Sequence, residues 1–127
     1  MSEETTTRTR VAVPSEAPGG LDALRSGHFG RADCFTMIDL VDGQVGEVQV
    51  LRNAPHSEGG CMAPVRALTE QNVTALVVDG IGGRPLAGCN QAGIAVHAGI
   101  GADVRAAVEA FRQGGLPLVG LRGTCQH

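Results

Sequence analysis

The chain has 127 residues, 43% of them hydrophobic and 18% charged, with a formal net charge of -3. That length buries one core and is too short to divide convincingly into two domains. The acidic balance gives no electrostatic pull toward nucleic acid, and three Phe without Trp or Tyr leave almost nothing on which bases could stack.

No run of about 18 apolar residues is available to span a membrane. Residues 1–10 are polar, carry Glu3 and Glu4, and lack the apolar stretch of a signal peptide. A cytoplasmic location is therefore expected, with no membrane partner, and there Cys34, Cys61, Cys89 and Cys125 stay as thiols.

Residues 1–8 read as a tail. Residues 8–13 alternate charged and apolar character and run into Pro14 and Gly19-Gly20, a first strand followed by a loop. An irregular excursion over 21–32 follows. The apolar runs on either side of Asp42-Gly43 predict a hairpin of antiparallel strands beginning at Cys34.

After the polar, Gly-rich segment 53–60, Met62, Val65 and Leu68 recur at helical spacing, so a helix begins near Cys61. The apolar run within 74–79 predicts a strand buried on both faces. Gly82-Gly83-Arg84-Pro85 then suggests a turn with Pro at the first position of a second helix, which Gly93 ends. Residues 94–97 are a short fifth strand. Asp103 is the expected N-cap of a third helix facing inward with Val104, Ala107, Val108 and Phe111. Residues 115–127 read as a tail. The expected class is α/β with a five-stranded mixed sheet, in the order β-β-β-α-β-α-β-α, over a domain at 9–114.

This order fixes which loops meet. If the first strand points up, the hairpin sends the second down and the third up, and the helical crossovers send the fourth and fifth up. The loop with His28 and Arg31, the start of the second strand at Cys34, the segment from His56 to Cys61, the turn from Gly80 to Arg84 and the end at His97 then share the carboxyl edge, where open α/β sheets bind ligands.

Cys61 is the leading candidate, because a thiolate at a helix N-terminus is stabilised by the helix dipole. The same position favours an anionic ligand. Gly59 and Gly60 permit close approach, and Arg31 and Arg84 supply positive charge. Soft thiolates select iron-sulfur, copper(I) or related clusters over magnesium or calcium. The cysteine gaps of 27, 28 and 36 residues contain no Cys-x-x-Cys, so a cluster here would be incompletely ligated and exchangeable, as suits a carrier.

Three strings carry a family resemblance: His28-Phe29-Gly30-Arg31-Ala32, the run from His56 through Gly59, Gly60 and Cys61 to Pro64, and the run from Gly80 through Gly82, Gly83 and Arg84 to Leu86. In order and spacing they resemble the signature segments of the dinitrogenase iron-molybdenum cofactor biosynthesis (NifX-like) family, over about residues 9–114. The resemblance implies a ribonuclease H-like fold, no enzymatic activity, and carriage of a metal-sulfur cluster of iron-sulfur, iron-molybdenum or molybdenum-copper type. It points to Cys61 as ligand with His28 and His56 assisting, and to cluster donor and acceptor proteins as partners. A homodimer sharing one cluster between two Cys61 thiolates is compatible with the sequence.

Plainer roles compete at each position. Cys34 and Cys89 suit small buried hydrophobes, since free cysteine is among the most buried residue types, although Cys34 keeps a place among the ligands because it falls on the right edge. His28 and His56 could be ordinary loop residues, His97 a strand end, and the Gly82-Gly83 pair a simple turn. Cys125 and His127 carry no argument. The competing functions are a small-anion or protein-interaction module built on the Gly-rich loops, a structural zinc domain, which a full core does not need, and a nuclease. The last requires clustered carboxylates, whereas the first strand has none and Asp39 falls at the opposite end from Asp79.

Overall fold

A computed structural model describes residues 8–27, 29, 31–53, 63–99 and 101–119. The elements in chain order are β1 (Arg8–Ser15), β2 (Cys34–Val41), β3 (Gln44–Arg52), α1 (Ala63–Glu70), β4 (Ala75–Val78), α2 (Gly83–Gln91), β5 (Ala95–Ala98) and α3 (Val104–Arg112). The five strands form one sheet in the order β3-β2-β1-β4-β5. β1 is antiparallel to β2 and parallel to β4, β2 is antiparallel to β3, and β4 is parallel to β5. The expected class and order of elements are therefore observed.

The two-residue connection at Asp42-Gly43 has φ of 53° and 81°. Two successive positive values are what a tight hairpin turn between right-twisted strands demands, and Asp followed by Gly tolerates them best. β1 and β4 are buried on both faces for most of their length, so their alternate residues enter two separate cores. One core holds Ala12, Phe35, Met37, Leu76 and Val78 beneath Val65 and Leu68 of α1 and Leu86 and Cys89 of α2. The other holds Val11, Val13, Ile38, Ala75 and Val77 beneath Val104, Ala107 and Val108 of α3. The result is a sheet with two helices on one face and one on the other.

α3 starts as expected: the Asp103 carboxylate accepts a 2.9 Å hydrogen bond from the Ala106 amide, which satisfies one of the free donors of the first turn. α2 departs from expectation. Gly82 is its N-cap and Gly83 its first residue, so Pro85 lies third rather than first. The shift is harmless because none of the first-turn amides has an intrahelical acceptor.

Residues 116–119, expected within the C-terminal tail, are paired with the sheet. The Ala98 amide donates to the Pro117 carbonyl at 2.9 Å and the Val119 amide to the Val96 carbonyl at 2.8 Å, while Leu116 is buried in the α3-side core. Residues 116–119 thus run along the outer edge of β5 and cover backbone groups that an open sheet edge would leave unpaired. Among the described residues, no helix is long and apolar enough to cross a membrane.

Two measurements test this packing. Leu76 is fully buried at the sheet centre, so Leu76→Ala should lower unfolding free energy by about 2–5 kcal/mol in denaturant melts, against about 1 kcal/mol for removal of the α3 cap in Asp103→Ala. The second concerns pH. Burial pushes the Cys89 thiol from 9.0 up to about 11, and the sequence contains neither Lys nor Tyr to titrate in the same range. Below pH 9 the thiol is protonated in both folded and unfolded states; above it the unfolded chain ionises first. Stability should therefore fall on the order of 2 kcal/mol as pH rises from 9 to 11, and Cys89→Ala should remove most of that slope.

Candidate functional site

Strand directions bring the ends of β1, β3, β4 and β5 and the start of β2 to one edge. Ser15, the last residue of β1, pairs with Cys34, which pairs in turn with Arg52 at the end of β3. α1 is oriented with its C-terminal end at the opposite edge, where Arg10 Nη1 donates to the Gln71 carbonyl at 2.8 Å. Its N-terminal end at Ala63 therefore faces the carboxyl edge, as do those of α2 and α3, which follow β4 and β5.

The loops at this edge are tied to each other. Asn53 donates from its amide to the Asp33 carbonyl at 3.2 Å and from Nδ2 to the Ala32 carbonyl at 2.8 Å. These bonds fix the end of β3 against the segment that enters β2. Phe29 is buried, with its ring 5.5 Å from that of Phe35, so the aromatic of the first sequence string acts as an anchor that holds its loop on the core. On the other side, the Ser26 amide donates to the Pro14 carbonyl at 2.8 Å, and Gly80 passes close to the Gly27 carbonyl. The segments bearing the first and third strings thus meet at the edge to which Asn53 is tied.

Of the candidates named from sequence, Cys61, His56, His28, Gly59 and Gly60 lie outside the described residues. Arg31 and Arg84 are exposed, the first on the loop before β2 and the second in the first turn of α2. Gly82 caps α2 without a side-chain hydrogen bond, and Gly83 opens the helix.

Cys34 stands on the expected edge, but it is buried, with Sγ 3.7 Å from the Ser15 carbonyl and 3.9 Å from that of Glu16. Gly19 lies so close that a Cβ there would fall 3.0 Å from the Cys34 sulfur. Burial and the neighbouring Asp33 raise its pKa, opposed in part by Arg52. The geometry favours a protonated thiol donating to backbone carbonyls.

Cys89 is enclosed on the inner face of α2. His97 closes the C-terminal segment onto β5: Nδ1 is 3.1 Å from the Leu116 carbonyl and the ring meets Phe111 edge-on at 5.0 Å. Asp39 pairs with Arg10 at 2.7 Å on the far side of the sheet, and Asp79 pairs with Arg25 at 2.7 Å at the carboxyl edge. The two carboxylates that a nuclease would have to cluster are therefore held apart. Among the described residues, no group of three or more His, Cys, Asp or Glu could hold a metal ion.

Arg25 was not singled out from the sequence. It sits in the excursion after β1, yet its side chain is only 7% exposed, a largely buried cation at this edge. A lone Arg among Ala, Leu, Ser and Gly carries no local signal of such a role.

A comparison with curated proteins finds no match. Similar solved structures include the apo form of the orange protein from Desulfovibrio gigas, 28% identical over 88% of this chain and 93% of that one, with a TM-score of 0.78. They also include the Thermotoga protein TM1290, provisionally named NifB, 29% identical over 87% of this chain and 93% of that one, with a TM-score of 0.72. MJ0327 of Methanocaldococcus jannaschii, at 18% identity and a TM-score of 0.73 over 90% of this chain and 97% of that one, shares the fold. The model of the family described as dinitrogenase iron-molybdenum cofactor matches residues 8–114. The chain is a member of that dinitrogenase iron-molybdenum cofactor family.

Proposed function

We propose that this protein binds and carries, without catalysis, a metal-sulfur cluster at the carboxyl edge of its sheet. The observation that supports this reading is the meeting at this edge of the segments bearing the first and third family strings with the two ends of segment 54–62: Asn53 is bonded to the loop before β2, and Ala63 opens α1 at the same edge. The cluster is cargo, of iron-sulfur, iron-molybdenum or molybdenum-copper type, received from a donor protein and passed to an acceptor, in the cytoplasm.

Cys61 lies two residues before α1 and is the primary ligand in this reading, its thiolate favoured by the helix dipole. His56 and His28 are the assisting ligands in this reading, and Gly59 and Gly60 let the backbone approach. Arg31 and Arg84 flank the edge and oppose the negative charge of a sulfide-rich cargo, with Gly82 and Gly83 opening the turn between them. Cys34 is a secondary ligand at most, since coordination would require its buried thiol to give up its proton and its carbonyl contacts. A homodimer would place two such edges on one cluster. On its strand order, with β2 alone running against its neighbours, we assign the fold as ribonuclease H-like.

Anaerobic reconstitution with iron and sulfide, and with tetrathiomolybdate with or without copper, should give stoichiometric metal uptake and visible absorption. Cys61→Ala should abolish both, while Cys89→Ala should leave uptake within about twofold of wild type, its thiol being enclosed in the core. Uptake indifferent to Cys61→Ala, or absent from every mixture, would instead support a small-anion or protein-interaction module working through the Gly-rich loops. Arg31→Gln and Arg84→Gln remove exposed charges worth about 0.2–1 kcal/mol each, so each should weaken uptake by a few-fold at low salt and by less as salt screens the field, as read by equilibrium dialysis.

A further inference from the structure

We propose that Arg25 is a positioning residue for this edge, a buried clamp that sets the Gly80–Gly83 turn and couples it to the 16–27 segment. The inference rests on the carrier reading for what is bound, and on described residues for how the clamp is built.

Arg25 gathers three segments that are remote in sequence. Its own backbone lies in the excursion after β1, with its amide donating to the Ala102 carbonyl at 3.0 Å. Nη1 is 2.7 Å from Asp79 Oδ1, immediately before the glycine turn. Nε donates to the Gly101 carbonyl at 2.9 Å, in the loop between β5 and α3. A guanidinium is suited to this task, because Nε fixes the fork on the Gly101 carbonyl while Nη1, outside hydrogen-bond geometry, meets the Asp79 carboxylate as a charge.

The backbone around it is shaped to admit it. A Cβ at Gly99 would fall 2.5 Å from Arg25 Nη1 and 2.8 Å from Val77 Cγ1, so the guanidinium occupies space that any other residue at 99 would fill. Gly101 has φ of +90°, and a Cβ there would fall 2.6 Å from that of Ala106. Its carbonyl is therefore presented to Arg25 from a conformation that favours glycine.

The position has an electrostatic consequence for an anionic cargo. Asp79 is 43% exposed at the edge, and without its partner it would present a bare negative charge at the mouth of the turn. Arg25 cancels that charge from below while holding the turn in place. The two members are unequal: loss of Asp79 strands a largely buried guanidinium, whereas loss of Arg25 leaves the exposed carboxylate facing the edge.

The test compares wild type with Arg25→Gln, Asp79→Asn and Gly99→Ala, using tetrathiomolybdate with copper(I) as the probe. The readouts are binding affinity, visible circular dichroism of the bound chromophore and hydrogen exchange of peptides over 16–27 and 79–83. Arg25→Gln and Gly99→Ala should weaken binding at least tenfold and alter the visible dichroism. Asp79→Asn should lose less, because it also removes the repulsive charge. Probe binding should slow exchange in both segments of wild type, but only over 79–83 in Arg25→Gln, because coupling between sites is reciprocal. A folded Arg25→Gln with wild-type affinity and wild-type exchange in both segments would overturn the proposal. If that variant does not fold, Gly99→Ala and Asp79→Asn decide it by the same readouts. If wild type takes up no probe, a molybdenum-copper cargo is excluded and exchange in the unloaded protein decides the clamp: faster exchange over 79–83 in the variants upholds it, and unchanged exchange sinks it.

Discussion

Hydrogen bonding of β1 to a strand on each side organises the molecule. Residues 11–15 are buried, so each of their peptide groups needs a protein partner, and an unpaired one would cost as much as a lost hydrogen bond. β2 supplies partners along the whole strand, from Arg8 opposite Val41 to Ser15 opposite Cys34, and β4 supplies them on the other side at Val11 and Ala12. Side-chain alternation then sends Ala12 into one core and Val11 and Val13 into the other. Both helical layers are seated on the two faces of this one strand.

The antiparallel partner on one side and the parallel partner on the other also decide where the loops go. The chain leaves β1 where it enters β2, and it leaves β4 and β5 at the same edge. The exit is stabilised locally: Ser15 Oγ lies 2.6 Å from the Val13 carbonyl and 2.8 Å from Thr36 Oγ1, which accepts a 3.0 Å bond from the Gly20 amide. Two buried hydroxyls thereby satisfy each other and the departing backbone, as buried polar groups must. The meeting of the described loop segments at this edge follows from strand direction together with these bonds, whereas Cys89 and Asp39, also chemically capable, are set apart in the core and at the opposite edge.

The two described cysteines show how position decides chemistry. Both are free thiols in buried surroundings, and in both burial raises the pKa. A ligand must give up its proton easily, so a cysteine placed by the sheet core is poorly suited and one at a helix start is well suited. That contrast, together with family membership, directs attention to Cys61.

The sequence by itself determined the elements, their order, the hairpin turn at Asp42-Gly43, the Asp103 cap and the shared edge, because these depend on periodicity, on positive φ and on strand direction, which are local or topological properties. The family was legible for the same reason, since three short strings in fixed order identify it. Tertiary structure decided the rest. The binding of residues 116–119 to β5 depends on a free sheet edge, which leaves no periodic mark on the segment that covers it. The plugging of Phe29 against Phe35, the enclosure of Cys34 beneath Gly19 and the capture of Arg25 by Asp79 are contacts between distant parts of the chain. Their energy comes from burial and pairing in three dimensions, so residue type and spacing alone carry no trace of them.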